Sequence, residues 1–99
     1  MESKIKAKIV SMDNGLQEFD DIEMIRVKGE NHSLLILQNY MPLLGRLDGY
    51  VDIVLKDETL RIQNVKGYYM HKKNEFSLLV EQGDTTPVSL IEEESKDAW

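Results

Sequence analysis

Apolar and polar residues alternate with a period of two in one short segment after another, and each segment stops at a turn signal. Lys4 to Val10 is the cleanest case, with Ile5, Ala7 and Ile9 on one side and Lys4, Lys6 and Lys8 on the other. In an extended chain a period of two sends alternate side chains to opposite faces, so this is a half-buried strand. Lysines on its outer side would also discourage edge-to-edge pairing. No segment carries a long apolar stripe at i, i+3, i+4, i+7, the pattern a core-facing helix needs.

Asp13-Asn14-Gly15 marks a tight turn, because Asn and Gly both accept positive φ. A short strand, Leu16 to Phe19, returns from it, and Asp20-Asp21 forms a polar kink. These two aspartates are not read as a metal site, since neighbours in an extended chain diverge and hard cations need several converging oxygens. Ile22 to Lys28 reads as another strand, with a bulge near Glu23-Met24 to bring Ile22 into phase with Ile25 and Val27. Gly29-Glu30-Asn31-His32 is a polar loop.

The central stretch from Ser33 to Leu44 contains the most apolar run, Leu34 to Leu37. Pro42 lacks an amide proton and holds Met41 extended, so the chain loops there. Gly45 and Gly49 indicate a strand end and a turn. Val51, Ile53 and Leu55 then alternate with polar neighbours, Lys56 to Thr59 turns the chain, and Leu60, Ile62 and Asn64 alternate back, which makes a hairpin. Gly67 separates it from Tyr68-Tyr69-Met70-His71. Lys72 to Glu75 is a turn, and Phe76, Leu78 and Val80 form one face of a further strand opposite Ser77 and Leu79. Gly83 and Pro87 punctuate the next segment, and Val88 to Ile91 gives a last short strand. The fold expected is all-β: a single β-sandwich of about nine to ten short, mostly antiparallel strands. Residues 1–84 form the sandwich and 85–99 an acidic tail containing Glu92, Glu93, Glu94 and Asp97.

With 99 residues the chain is expected to be one domain. No cysteine is present, so disulfide and thiolate chemistry are excluded. No apolar run approaches the roughly 20 residues of a membrane helix. The net charge of -6 disfavours nonspecific binding to nucleic acid or anionic lipid. Tyr68, Tyr69, Lys72 and Lys73 resemble a stacking platform with basic flanks, but an acidic chain favours one tyrosine packed inward and two lysines in a turn. Tyr69, facing away from Tyr68, is then a candidate protein contact.

No phosphate loop, metal-ligand cluster or nucleophile elbow occurs. His32 reads as a loop residue and His71 as an exposed strand-end residue. Ser33 faces away from its neighbour His32, so the two are not a nucleophile–base pair. No catalytic, cofactor or metal residue is therefore assigned. The central run is different. A strand in a two-layer sandwich has one inner face, so Leu35 and Leu37 look outward if Leu34 and Ile36 look inward. Outward apolar side chains mark a binding surface.

The order of these segments resembles the N-terminal β-sandwich domain of the epsilon subunit of F-type ATP synthase. The residues that carry the likeness are the strand Lys4 to Val10, the acidic pair of strands Phe19 to Val27, Gly29-Glu30, Leu34 to Leu37 and Pro42-Leu43-Leu44. Leu47 to Val51, Val65 to Met70 and Asn74 to Val80 continue it, so about residues 4 to 82 are covered in order. The chain departs from the family at Leu35, Gln38 and Tyr40, where glycine, proline and histidine are usual, and at Asp48, where lysine is usual. The helical hairpin that follows the sandwich in that family has no counterpart here, so regulation by it is not carried over.

The resemblance implies a non-catalytic rotor part that docks on the gamma subunit and the c ring, peripheral on the cytoplasmic face of the membrane without inserting in it. Glu30, Asn31 and His32, with Tyr40, Met41 and Pro42, would lie toward the ring, and Leu35 and Leu37 would meet a neighbour. Two other readings stand beside it: an interaction module diverged from that family, and a small sandwich holding a ligand between its layers.

Overall fold

The computed structural model describes residues 4–30 and 32–90. These form eight strands and no helix: β1 (Ile5–Ser11), β2 (Gly15–Ile22), β3 (Met24–Gly29), β4 (Ser33–Ile36), β5 (Leu43–Val54), β6 (Thr59–Lys72), β7 (Glu75–Gln82) and β8 (Val88–Ser89). The hydrogen-bonded order is β2-β1-β7-β6-β5-β3-β4, with β8 added to β6. All pairs are antiparallel except β1 with β7.

The sheet folds over on itself because β5 and β6 belong to both of its halves. The start of β5 and the end of β6 pair with each other and continue through β7, β1 and β2. The end of β5 and the start of β6 continue into β3, β4 and β8. Between the halves the β5–β6 register slips: Gly49 faces Val65 and Val51 faces Ile62, so Tyr50 alone opposes Gln63 and Asn64. Asn64 takes φ 60° at this bulge. An extra residue of this kind sharpens the local twist and bends the strand. Gly49 and Gly67 sit where backbones crowd: a Cβ at Gly49 would collide with the Lys28 carbonyl, and one at Gly67 with the Leu79 carbonyl.

The inward side chains of both halves form one core. Ile5, Ala7, Ile9, Phe76, Leu78 and Val80 come from one half, and Ile25, Val27, Ile36, Val51, Ile53 and Ile62 from the other. The alternation that nominated them as strand faces is therefore the alternation that buries them. The Asn14-Gly15 turn joins β1 to β2, with Gly15 at φ 68° and the Asn14 amide donating to Ser11 Oγ at 3.0 Å. Lys73 and Asn74, both at positive φ, join β6 to β7.

Several local expectations are corrected. Eight strands replace nine to ten because Leu43-Leu44 and Val51 to Val54 are one strand, as are Leu60 to Val65 and Tyr68 to His71. Gly45, Gly49 and Gly67 permit bending there and do not end the pairing. Ile22 closes β2, and Met24 opens β3. The bulge lies earlier, at Asp20-Asp21 opposite Lys6, where Asp21 takes φ 55°. Asn64 is exposed at the β6 bulge and Val65 turns inward in its place. β1 lies between β2 and β7, so its lysines guard no edge.

Beyond Gly83 the chain stays on the sandwich. Thr85 is fully buried and donates to Asn14 Oδ1 at 2.9 Å, while Gln17 Nε2 donates to Thr85 Oγ1 at 2.8 Å. The Leu90 amide donates to the Thr59 carbonyl at 2.8 Å. Ile91 and the acidic residues after it lie outside the described residues, as does Asn31.

Candidate docking surfaces

The outer face of the β2-β1-β7-β6-β5 half is apolar at its centre. Register places Leu16, Val10, Leu79, Tyr68 and Arg46 in one row across the five strands. The next row is Glu18, Lys8, Ser77, Met70 and Leu44. Leu16, Val10, Leu79, Tyr68, Met70 and Leu44 are each between 40% and 76% exposed. They line or border a shallow hollow of about 280 Å³. The Arg46 guanidinium lies 5.9 Å from the Tyr68 ring centroid. A continuous apolar area this wide across a sheet is what protein-binding surfaces expose. Its signal was present in the sequence as apolar doublets, Ile9-Val10, Leu43-Leu44, Tyr68-Tyr69 and Leu78-Leu79. Each doublet violates strict alternation as Leu34 to Leu37 does.

The outer face of the other half is charged. Asp52 is fully buried there. Arg26 Nη1 donates to its Oδ2 at 2.9 Å, and Arg61 donates from Nε to Oδ1 at 2.7 Å and from Nη2 to Oδ2 at 3.0 Å. The register makes this a row, Leu35–Arg26–Asp52–Arg61–Val88. Tyr50 stands one step along, with the Arg61 guanidinium 3.9 Å from its ring centroid. Charge-assisted bonds from two guanidiniums satisfy the buried carboxylate. Nothing in the alternation marked Asp52, because the sequence reads it as an outward, solvated residue.

The expected contact residues fall in three places. Leu35 and Leu37 point outward, 44% and 46% exposed, with Ile36 buried between them. Met41 and Pro42 are exposed, Tyr40 packs partly on the core, and Glu30 and His32 are exposed on the β3–β4 turn, where the Gly29 amide donates to the His32 carbonyl. Tyr69 is corrected: it is only 4% exposed and belongs to the core. Its ring stacks with Phe76 at 5.9 Å and lies over Gly45, where a Cβ would strike it. Its hydroxyl sits 3.4 Å from His32 Nε2. Burial pushes the Tyr69 phenol up, and nearby Tyr40 adds to the shift. Tyr69 is therefore a core residue of this chain that underpins both loops from inside. The β4–β5 loop is clasped to the β6–β7 turn, with the Asn39 amide donating to Asn74 Oδ1 at 2.6 Å and Asn74 Nδ2 donating to Asn39 Oδ1 at 3.2 Å.

His71 is also corrected. It is fully buried, and neither ring nitrogen has a hydrogen-bond partner. Its inward position follows from the bulges that reset the phase of β6, so that Val65, Gly67, Tyr69 and His71 share the core side. Burial holds its imidazole below the usual histidine range.

No family model matches the sequence. No curated protein matches it either. Among solved structures, the chain is similar to one from the central stalk and c ring of the Tetrahymena thermophila mitochondrial ATP synthase. The identity is 17% and the TM-score 0.64, over 99% of this chain and 75% of that one. At that identity the likeness is one of fold: a similar architecture occurs in the central stalk and c ring of that mitochondrial ATP synthase.

Proposed function

We propose that this protein is a non-catalytic, epsilon-type subunit of the central stalk of an F-type ATP synthase. The apolar face of Val10, Leu79, Tyr68, Met70 and Leu44 carries the reading, because such a surface needs a protein over it. The likeness to the Tetrahymena stalk chain supplies the setting. In this reading the apolar face docks on a gamma-type subunit, by shape and buried area with no acid, base or metal involved. The β3–β4 turn and the β4–β5 loop, both underpinned by Tyr69, face the c ring. The protein links rotation between the two and lies peripherally on the cytoplasmic side of the membrane.

The test is affinity capture from the native host followed by mass spectrometry, with the wild-type chain and the Leu79→Asp variant compared. Recovery of a gamma-type subunit and c subunits by the wild type, lost with Leu79→Asp, is the expected result. Capture of other proteins and of no synthase subunit would replace this reading with that of a separate interaction module on the same fold. The departures at Leu35, Gln38, Tyr40 and Asp48 favour that second reading.

A further inference from the structure

We infer that the Asn14-Gly15 turn is a latent deamidation site, and that the segment after β7 controls it through Thr85. Asn14 is the one asparagine of the chain that glycine follows. Gly15 takes φ 68°, and a Cβ there would meet nothing within 4 Å among the described residues. Its nitrogen is therefore unshielded by any side chain of its own, and the turn is open to water. The reaction proceeds without a catalyst. The Gly15 nitrogen loses its proton and attacks Asn14 Cγ, and the new C–N bond closes a five-membered succinimide. The Cγ–Nδ2 bond breaks, and that nitrogen leaves with the released proton as ammonia. Water then opens the ring at either carbonyl and gives aspartate or isoaspartate. Nothing is oxidised or reduced, and the turn gains one negative charge.

The folded chain holds Asn14 back from this chemistry. Thr85 is fully buried and donates from Oγ1 to Asn14 Oδ1 at 2.9 Å. Ser11 Oγ lies 3.2 Å from Thr85 Oγ1 and accepts from the Asn14 amide at 3.0 Å. Thr85 has one hydroxyl proton and gives it to Asn14, so Ser11 gives its own to Thr85. The three residues thus close a ring that holds Asn14 by side chain and backbone. Gln17 Nε2 tightens the clasp, donating to Thr85 Oγ1 at 2.8 Å and to the Thr85 carbonyl at 3.0 Å. Succinimide closure requires the Asn14 side chain to swing until Cγ stands in line with the Gly15 nitrogen, and such reactions are slow when that geometry is denied. The swing breaks the bond to Thr85 and leaves a buried hydroxyl proton without its acceptor. Thr85 is a positioning residue, acting on Asn14 and taking no part in the bond changes. Its own place depends on the segment from Gly83 to Leu90, which is pinned by β8 on β6 and by the Leu90 amide on the Thr59 carbonyl. Local lifting of that segment opens the clasp and frees Asn14 to react. The inference rests on this turn alone and stands apart from any role in a synthase.

The test incubates the full chain, as wild type, Thr85→Val and Thr85→Ser, at mildly alkaline pH beside a free peptide with the sequence of residues 11–18. Thermal melts set a temperature at which all three proteins are folded. Peptide mapping by mass spectrometry, with aspartyl and isoaspartyl forms separated, reads the rate at Asn14. The wild type should react at least tenfold more slowly than the free peptide. Thr85→Val removes the donor at nearly constant volume and should speed the reaction at least fivefold, with isoaspartate among the products. Thr85→Ser keeps the hydroxyl and should stay within twofold of the wild type. Should Thr85→Val fail to fold, Gln17→Leu takes its place, with the same acceleration expected. A wild-type rate equal to that of the free peptide overturns the proposal. So does a folded variant lacking either clasp donor that reacts no faster than the wild type. Equal acceleration at Asn64 and Asn74, which precede Val65 and Glu75, also overturns it, because general unfolding would then account for the effect.

Discussion

One outer face of this folded sheet is rich in valine, leucine, tyrosine and methionine, and the other is built around a carboxylate held by two arginines. Both faces arise from the same alternation, and both lie over the same core. On the apolar face six large apolar side chains are left exposed among the described residues, with Arg46 beside Tyr68. On the charged face the central polar group is fully satisfied: Asp52 accepts three bonds, and Arg61 covers Tyr50. The first surface is the one assigned above, as a proposal, to a protein partner. The second is complete at its centre and charged at its margin. Substitutions should therefore act on partner binding at the first and on stability at the centre of the second.

Neighbouring residues on β5 give the largest test. Ile53 points into the core and Asp52 away from it. Ile53→Ala should cost about 2–5 kcal/mol, as buried truncations do. A urea-melt loss below about 0.5 kcal/mol would put Ile53 at the surface. Asp52→Ala should cost roughly 3 kcal/mol, the low end for removing one member of a buried ion group, because both arginines retain contact with water. If Asp52→Ala is as stable as the wild type, the charged face has no central organiser and the contrast between the faces fails.

A smaller effect comes from beneath the apolar half. His71 has a folded-state pKa below its ordinary value of 6.5, through burial. Below 6.5 the unfolded chain takes up a proton that the folded chain resists. Stability contributed by the neutral imidazole is therefore present above 6.5 and falls as the pH drops toward the lowered folded value, by at most about 1.4 kcal/mol per pH unit. In His71→Leu, the difference between melts at pH 7 and pH 5.5 should shrink. An unchanged difference would assign the acid sensitivity to other groups.

The smallest stability changes belong to the apolar face itself. Leu79→Asp and Tyr68→Ser should shift stability by no more than about 0.5 kcal/mol. Capture of a gamma-type partner should nevertheless be lost. Leu35→Asp should likewise leave the melt in place; outright unfolding of that variant would make Leu35 a core residue.

The contrast between the faces also shows where the sequence was legible. Ile5, Ala7, Ile9, Phe76, Leu78 and Val80 were readable as one-faced strands because side-chain direction in a strand depends only on parity. The Asn14-Gly15 turn was readable because few residues accept positive φ. Leu35 and Leu37 were readable because a run of four cannot all face inward. His71 and Tyr69 were misplaced because bulges reset parity, and a bulge depends on two strands, only one of which is visible in a local window.

Local parity thus determined that this chain is all-β, where most of its turns lie, and which side of most strands is buried. The long-range pairings were decided only in three dimensions. Parallel pairing puts Val10 beside Leu79, 69 positions away, and the antiparallel β3–β5–β6 pairs put Arg26 and Arg61 on either side of Asp52. Apolar doublets became a surface, and a lone aspartate the centre of an ion group, only when those strands met. The physical reason is that a strand satisfies half its backbone hydrogen bonds on each neighbour, and the choice of neighbour is made by the whole core rather than by any single segment.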